Sequence, residues 1–371
     1  MRIVYLFTSL GTATLGQNVS WDPEAHSENP SAIGMETEGM FDLLMQLVKR
    51  GTIDECFFFV ESNRSPGFRR YSDKAYCRVM PHMGYLEDYI QPGDVILARG
   101  GFRPWPGFLK KRNEEKKWVL FYRAATNRGG WPYWDIVLDD LIDRTRADEK
   151  DGGRLHYLFH KPVREDIFFF KKEERDIDLI INASHIHDKK GQWKAIDALI
   201  YYKEIYGKNL KACLPGSWYG GINTLRIPFK IKSYGLDVDT PGMVSRKVLA
   251  EIYRRSRLYI HLGGAGQNDR GCLEALACGV PILLGNPVFH PKWMTNNPYS
   301  FITPNQVNPE SLAYEIHNWL SCINIEVHPQ VAKFYKATNG MEVAIRDMET
   351  ILNFIRDNPI ADRQKALEKL P

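Results

Sequence analysis

Residues 257–287 read RLYIHLGGAGQNDRGCLEALACGVPILLGNP. Residues 258–262 form a short apolar run of strand length. Gly263, Gly264 and Gly266 follow, and glycine takes positive φ at no steric cost, so the chain can turn sharply there. Cys272, Leu273, Leu276 and Ala277 share a helix face, and Gly279 is placed to end that helix as a left-handed cap. Residues 280–284 are apolar throughout, as expected of a strand covered on both faces in a parallel sheet. The stretch is therefore strand, glycine loop, helix, strand. Glu274 falls in the first turns of that helix, near the carboxyl end of a parallel strand, where open α/β sheets bind ligands.

The rest of the chain repeats the alternation. Strands are expected at 3–6, 56–60, 94–98, 118–122, 136–138 and 155–159. A helix is expected between the first two, from METEGMFDLLMQLVKRG: Met40, Leu43, Leu44, Leu47 and Val48 share one face and Gly51 caps the end. Glu36 and Glu38 fall in its first turn, where the dipole favours acids. The pattern restarts after HKPVREDIFF, with strands at 179–182 and 212–214 and a helix carrying Trp193, Ile196, Leu199 and Tyr202. Alternating strands and helices give parallel α/β domains, and 371 residues suit two of them. No run of eighteen apolar residues occurs, so no transmembrane helix is expected. The first residues read as strand and turn rather than signal peptide, so a cytoplasmic protein is expected. The six cysteines are scattered without metal spacing, as reduced thiols would be.

The string EALACGVPIL (residues 274–283) resembles the signature segment of GT-B glycosyltransferases, especially the large retaining family 4. The resemblance implies an α/β fold of two facing Rossmann-like domains with a cleft between them. Its expected divisions are an acceptor domain at 1–163, a nucleotide-sugar domain at 164–345, and a terminal helix at 346–371 packing back on the first domain. It implies sugar transfer from a UDP-, GDP- or ADP-sugar to an acceptor hydroxyl, with retention and without metal or further cofactor. Glu274 would hold the donor ribose. Lys190, followed by Gly191, matches the family's lysine against the donor diphosphate, and His185 stands where the family has arginine. Gly216 matches a glycine after the second strand of that domain, and residues 240–244, ending at Val244, would present backbone to the base. Two departures stand out. The family's second Glu, eight residues before Glu274, is Gly266 here, leaving Asp269 as the nearby carboxylate; and Arg123 stands where the family often has a histidine near the reacting sugar.

The chemistry supports this assignment of roles. A departing diphosphate gains negative charge, which fixed cations and N–H dipoles stabilise. Lys190 and the helix start at Gly191 suit that role, as do the N–H groups of residues 264–267, with Gly264, Gly266 and Gln267 in the glycine loop. No metal-ligating cluster stands out. Asp237-Val238-Asp239 is formally an Asp-x-Asp triplet but reads as a turn in the base-presenting segment.

Net charge is +4 but unevenly spread. Residues 64–128 hold 14 Lys and Arg against 6 Asp and Glu, interleaved with aromatics. This is either a solvated face over an aromatic core or a surface for something anionic: a lipid-linked glycan, a membrane to which the protein is peripheral, or DNA. Gly16, Arg99, Arg103 and Arg123, in loops after strands of the first domain, are the acceptor-binding candidates. Asp22, Glu36 and Glu38 are the candidate bases should the reaction invert. Two other functions fit the same residues: a DNA glycosyltransferase acting on a modified base, and a non-catalytic nucleotide-sugar-binding subunit.

Overall fold

The structure is a computed structural model that describes residues 1–8, 33–61, 67–80, 83–99, 118–122, 135–139, 155–182, 186–218, 220–263, 270–285, 291–303 and 308–358. The chain divides into two compact units, Met1–Pro162 with Met341–Pro371, and Val163–Gly340.

The first unit is built on an eight-stranded sheet: β1 (Arg2–Thr8), β2 (Glu55–Glu61), β3 (Gly67–Ser72), β4 (Ala75–Met80), β5 (Val95–Arg99), β6 (Val119–Tyr122), β7 (Ile136–Asp139) and β8 (Leu155–Leu158). The strand order is β3-β4-β2-β1-β5-β6-β7-β8, parallel except for β3 against β4. Helices α1 (Ile33–Glu36) and α2 (Gly39–Arg50) lie between β1 and β2 in the chain. The central strands are apolar on both faces because both are covered. Ile3, Tyr5 and Phe7 enter one core with the apolar stripe of α2, while Val4 and Leu6 enter the other with Phe57, Phe59 and Ile96.

Two expectations need correction here. The antiparallel hairpin β3–β4 was not foreseen. It lies inside the basic-aromatic region, where Phe68 is exposed with Arg78 stacked on its ring at 4.8 Å. The helix expected through Glu36 and Glu38 is broken, so Glu38 is the N-cap residue of α2 with extended backbone rather than a first-turn residue.

The second unit holds a six-stranded parallel sheet: β9 (Ile177–Ile181), β10 (Ala212–Pro215), β11 (Val238–Gly242), β12 (Ser256–His261), β13 (Ile282–Leu284) and β14 (Ser300–Ile302), in the order β11-β10-β9-β12-β13-β14. The triplet read as a turn is instead largely strand: Val238 and Asp239 pair with Ala212 and Cys213. An edge position tolerates the polar, proline-containing sequence of β11, since one side needs no ladder bonds. The helices are α3 (Gln192–Tyr206), α4 (Ile222–Leu225), α5 (Ile227–Ser233), α6 (Arg246–Arg255), α7 (Arg270–Ala277), α8 (Lys292–Thr295), α9 (Pro309–Cys322) and α10 (Val327–Asn339). One face of the sheet packs on α6, α7 and α10, the other on α3 and α9.

The last helix, α11 (Met341–Asp357), returns to the first unit. Its Ala344, Ile345, Met348, Ile351, Leu352 and Ile355 join the core beside α2. Thr52 donates to Glu349 at 2.9 Å, and the His160 backbone N–H donates to Asp347 at 2.8 Å. Among the described residues all six cysteines are free thiols, and no helix is long and apolar enough to cross a membrane.

Candidate functional site

In the second unit the chain runs outward from β9 to β10 and β11, then returns to lay β12 on the other side of β9. The connections from β9 to β10 and from β12 to β13 therefore lead to opposite sides of the β9–β12 pair. The crevice at such a switch point is where open α/β sheets place ligands. Lys190 ends a 3-10 turn (Asp188–Lys190) in the loop after β9, and the glycine-rich segment follows β12.

The first loop is fixed by buried polar groups. Asn182, at the end of β9, is 1% exposed. Tyr259 Oη donates to its Oδ1 at 3.2 Å, and Asn182 Nδ2 donates to the Lys190 carbonyl at 3.3 Å. Gln192, also buried, accepts from the His187 N–H at 3.3 Å. Asp188 turns the other way: Oδ1 accepts from the Thr224 N–H at 2.8 Å and hydroxyl at 2.6 Å, and Oδ2 from the Asn223 N–H at 3.3 Å. Burial pushes the Asp188 carboxyl upward, but these hydrogen bonds outweigh it and hold the group below its ordinary value.

Gly191 follows at φ 75°, and a Cβ there would lie 2.6 Å from the Leu262 carbonyl oxygen. The backbone that starts α3 thus lies directly against the backbone that ends β12. Only glycine allows both that φ and that approach. The half-buried Lys190 and the N-terminus of α3, the positive end of its dipole, are in this way set beside Leu262, where the glycine-rich segment begins in sequence.

Glu274 lies in α7 and is 1% exposed. It pairs with Arg246 of the first turn of α6, one guanidinium nitrogen reaching each carboxylate oxygen, and Arg270 Nε lies 3.3 Å from Oε1. Arg246 stacks on the Phe168 ring at 4.5 Å, and burial, more than any neighbour, holds its pKa below the ordinary value. The Nε of Arg246 is buried without a hydrogen-bond partner. Gly271, one turn before Glu274, sits where a Cβ would meet Tyr259 Oη at 2.5 Å, which brings α7 close onto β12. Gly279 ends α7 at φ 78°, and its carbonyl is 2.8 Å from Nδ1 of the buried His328.

Gly216 lies just past β10, its N–H donating to Gly242 at 2.8 Å. Val244 is half-buried between β11 and α6, against the core. Lys190, Gly216 and Val244 thus lie on loops that follow strands of one parallel sheet, and Glu274 lies in the second turn of the helix that follows β12. His185, Gly264, Gly266, Gln267 and Asp269 lie outside the described residues, as do Gly16, Asp22, Arg103 and Arg123.

In the first unit the order of strands reverses between β1 and β5, and Arg99 ends β5. Arg99 pairs with Glu38, whose other oxygen accepts from Tyr5 Oη at 3.3 Å, and its guanidinium lies 4.7 Å from the centre of the Phe7 ring. Glu36 accepts from Tyr71 at 2.5 Å, and burial drives that phenol well above its ordinary pKa. Both glutamates are thus engaged by side chains; Glu38 makes no side-chain cap on α2.

Sequence reading missed Arg246, Asn182, Tyr259 and Gln192. A polar residue ending an otherwise apolar strand was a usable signal for Asn182. Nothing in the pattern pointed to Arg246. Among the described residues no group of His, Cys, Asp and Glu could hold a metal ion.

Comparison with known proteins follows the same division. Residues 163–334 match the family model described as glycosyl transferases group 1. No curated protein sequence matches the chain at a significant level. Among solved structures, Anabaena HepE in complex with UDP is 13% identical at a TM-score of 0.63, covering 95% of this chain and 100% of its own. Sucrose-phosphate synthase from Thermosynechococcus elongatus is 12% identical at 0.67, covering 96% and 99%. Trehalose-6-phosphate from E. coli bound with UDP-2-fluoro glucose, as that structure is described, is 8% identical at 0.60, covering 100% of each chain. At these identities the likeness is one of fold, and the fold is GT-B.

Proposed function

From residues 163–334, a glycosyl transferases group 1 segment within a chain of GT-B fold, we propose a glycosyltransferase that takes a hexose from a UDP-sugar, with retention and without a metal ion. The observation that carries this is Gly191 against Leu262, which sets a lysine and a helix N-terminus beside a glycine loop at a parallel-sheet switch point. UDP is chosen because HepE is bound to UDP and, in a second structure, to UDP-glucose.

The reaction breaks the bond between the anomeric carbon and the diphosphate oxygen, and forms one to the acceptor oxygen. The electron pair of the broken bond stays on the diphosphate. Lys190 and the backbone at the start of α3 are proposed to meet that charge, and the backbone, held at Gly191 against Leu262, costs little reorganisation as it develops. Glu274 is proposed to accept from the ribose hydroxyls. Residues 240–244 and Gly216 offer backbone to the base. The glycine loop with Gly264, Gly266 and Gln267, together with His185 and Asp269, is assigned to the diphosphate and sugar on family resemblance alone. Selection of an anionic acceptor falls to the first unit, whose residues 64–128 carry a basic excess, through Gly16, Arg103 and Arg123. Arg99 contributes less charge there, since Glu38 neutralises it.

A thermal-shift screen with UDP, GDP, ADP and CMP tests the donor. A nucleotide at about 100 times its dissociation constant adds roughly 2.7 kcal/mol. UDP is expected to shift the transition and the others to shift it less. UDP-glucose hydrolysis without acceptor, lost in Lys190→Ala, would mark the pocket as catalytic. No shift with any nucleotide would overturn the proposal.

A further inference from the structure

Helices α4 and α5 follow one another with only Arg226 between them, and its helical backbone (φ −81°, ψ −15°) makes them one almost continuous turn sequence. The inner face is settled by burial: Thr224 and Ile227 are covered, and Ile231 packs on the core with α3. Ile222, Leu225 and Phe229 point the opposite way and are 71%, 72% and 71% exposed. Three large apolar side chains so fully in water on one helix face are not scattered surface residues; they form a patch. Helical spacing places Arg226 and Lys230 on one side of this stripe and Lys232 on the other. No acidic residue occurs between Ile222 and Ser233. Lys230 pairs with Asp197, while Arg226 and Lys232 are exposed. Tyr234, 48% exposed, ends the segment.

We propose that the α4–α5 face docks the protein on a membrane surface rich in anionic phospholipid. An apolar stripe flanked by cations is the pattern of a helix lying in the interface plane, its apolar side chains among the acyl chains and its cations at the headgroups. A second copy fits less well. Pairing this face with itself would set its cations against like charge. The surface belongs to the second unit and lies outside the basic segment 64–128, and the proposal does not depend on catalysis.

The test is flotation of the full chain with vesicles of phosphatidylcholine mixed with phosphatidylglycerol, and with phosphatidylcholine alone. Binding is expected on the mixed vesicles, at least about tenfold weaker on the neutral ones, and falling with added salt. The double variant Leu225→Ser with Phe229→Ser should lose at least about tenfold of that binding while its melting temperature stays that of the parent, since both side chains lie in water. Equal binding by parent and variant, or no binding by the parent, overturns the proposal. So does a parent dimer that the variant converts to monomer, which would make the face a self-association surface.

Discussion

Arg246 and Glu274 stand 28 residues apart in the chain and close on one another as a largely buried, two-nitrogen ion pair between the first turn of α6 and the second turn of α7. A ribose bound to Glu274 must share the carboxylate with a guanidinium already in place. The pair therefore fixes the orientation of the two oxygens before any nucleotide arrives. Removing one member strands the other in a dry site, which typically costs about 3–5 kcal/mol. Glu274→Ala should lower the melting temperature as well as abolish nucleotide binding. Glu274→Gln keeps an acceptor and should lose only about 1–3 kcal/mol, with UDP binding at least about tenfold weaker. Calorimetric titration beside thermal denaturation separates the two effects. A Glu274→Ala protein as stable as the parent would show the pair to be loose.

Gly191→Ala should be damaging in a different way. The new Cβ would sit 2.6 Å from the Leu262 carbonyl, in a backbone conformation that alanine resists. The loss is expected to exceed about 1–2 kcal/mol, and donor hydrolysis should fall with it, because the start of α3 must back away from β12. Lys190→Ala, by contrast, should leave the melting temperature nearly unchanged while hydrolysis falls. Denaturant unfolding of both variants checks this, and equal destabilisation would contradict it.

Acid should weaken the second unit through His328. Burial is the largest cause of a pKa near 4, with the nearby Arg175 and Arg257 acting in the same direction and the Gly279 carbonyl opposing them. An unfolded histidine takes up its proton near pH 6.5. Between about pH 6.5 and 4 the unfolded chain thus binds a proton that the folded chain refuses, so stability falls as pH drops through that window. His328→Gln should flatten this part of the melting-temperature profile. An unchanged slope would place the acid sensitivity elsewhere.

Met348 tests the terminal helix. It is fully buried in the first unit's core. Met348→Ala should cost about 2–5 kcal/mol, read as a shift in the urea midpoint. A shift of less than about 1 kcal/mol would mean that α11 holds on weakly.

The parallel core was legible because burial on both faces leaves a plain mark: residues 280–284 are apolar without interruption and 258–262 apolar but for the buried His261, and strands β12 and β13 lie there. The hairpin β3–β4 left a weaker mark. Its solvent-side residues are Arg, Lys and aromatic, so GFRRYSDKAYCRVM looked like a basic surface; the Ser72-Asp73-Lys74 turn between two alternating runs was the overlooked sign. Lys190-Gly191 could be picked out in the sequence by its resemblance to the family's lysine-glycine element, while the close approach to Leu262 that requires this glycine is visible only in the structure. Arg246 with Glu274, and Arg99 with Glu38, could not. Each joins residues far apart in the chain, and ion pairing imposes no spacing on its members.

The path of the chain also orders its assembly. Residues 163–340 form a contiguous unit and can collapse as soon as they leave the ribosome. The first unit cannot finish, although it is made first, because α11 is its last piece and is separated from β1 by nearly the whole chain. Until then the stripe that α11 covers on α2 stays open to water. A chain cut after Gly340 would hold a complete second unit together with a first unit whose core is exposed, a ready substrate for chaperones and proteases.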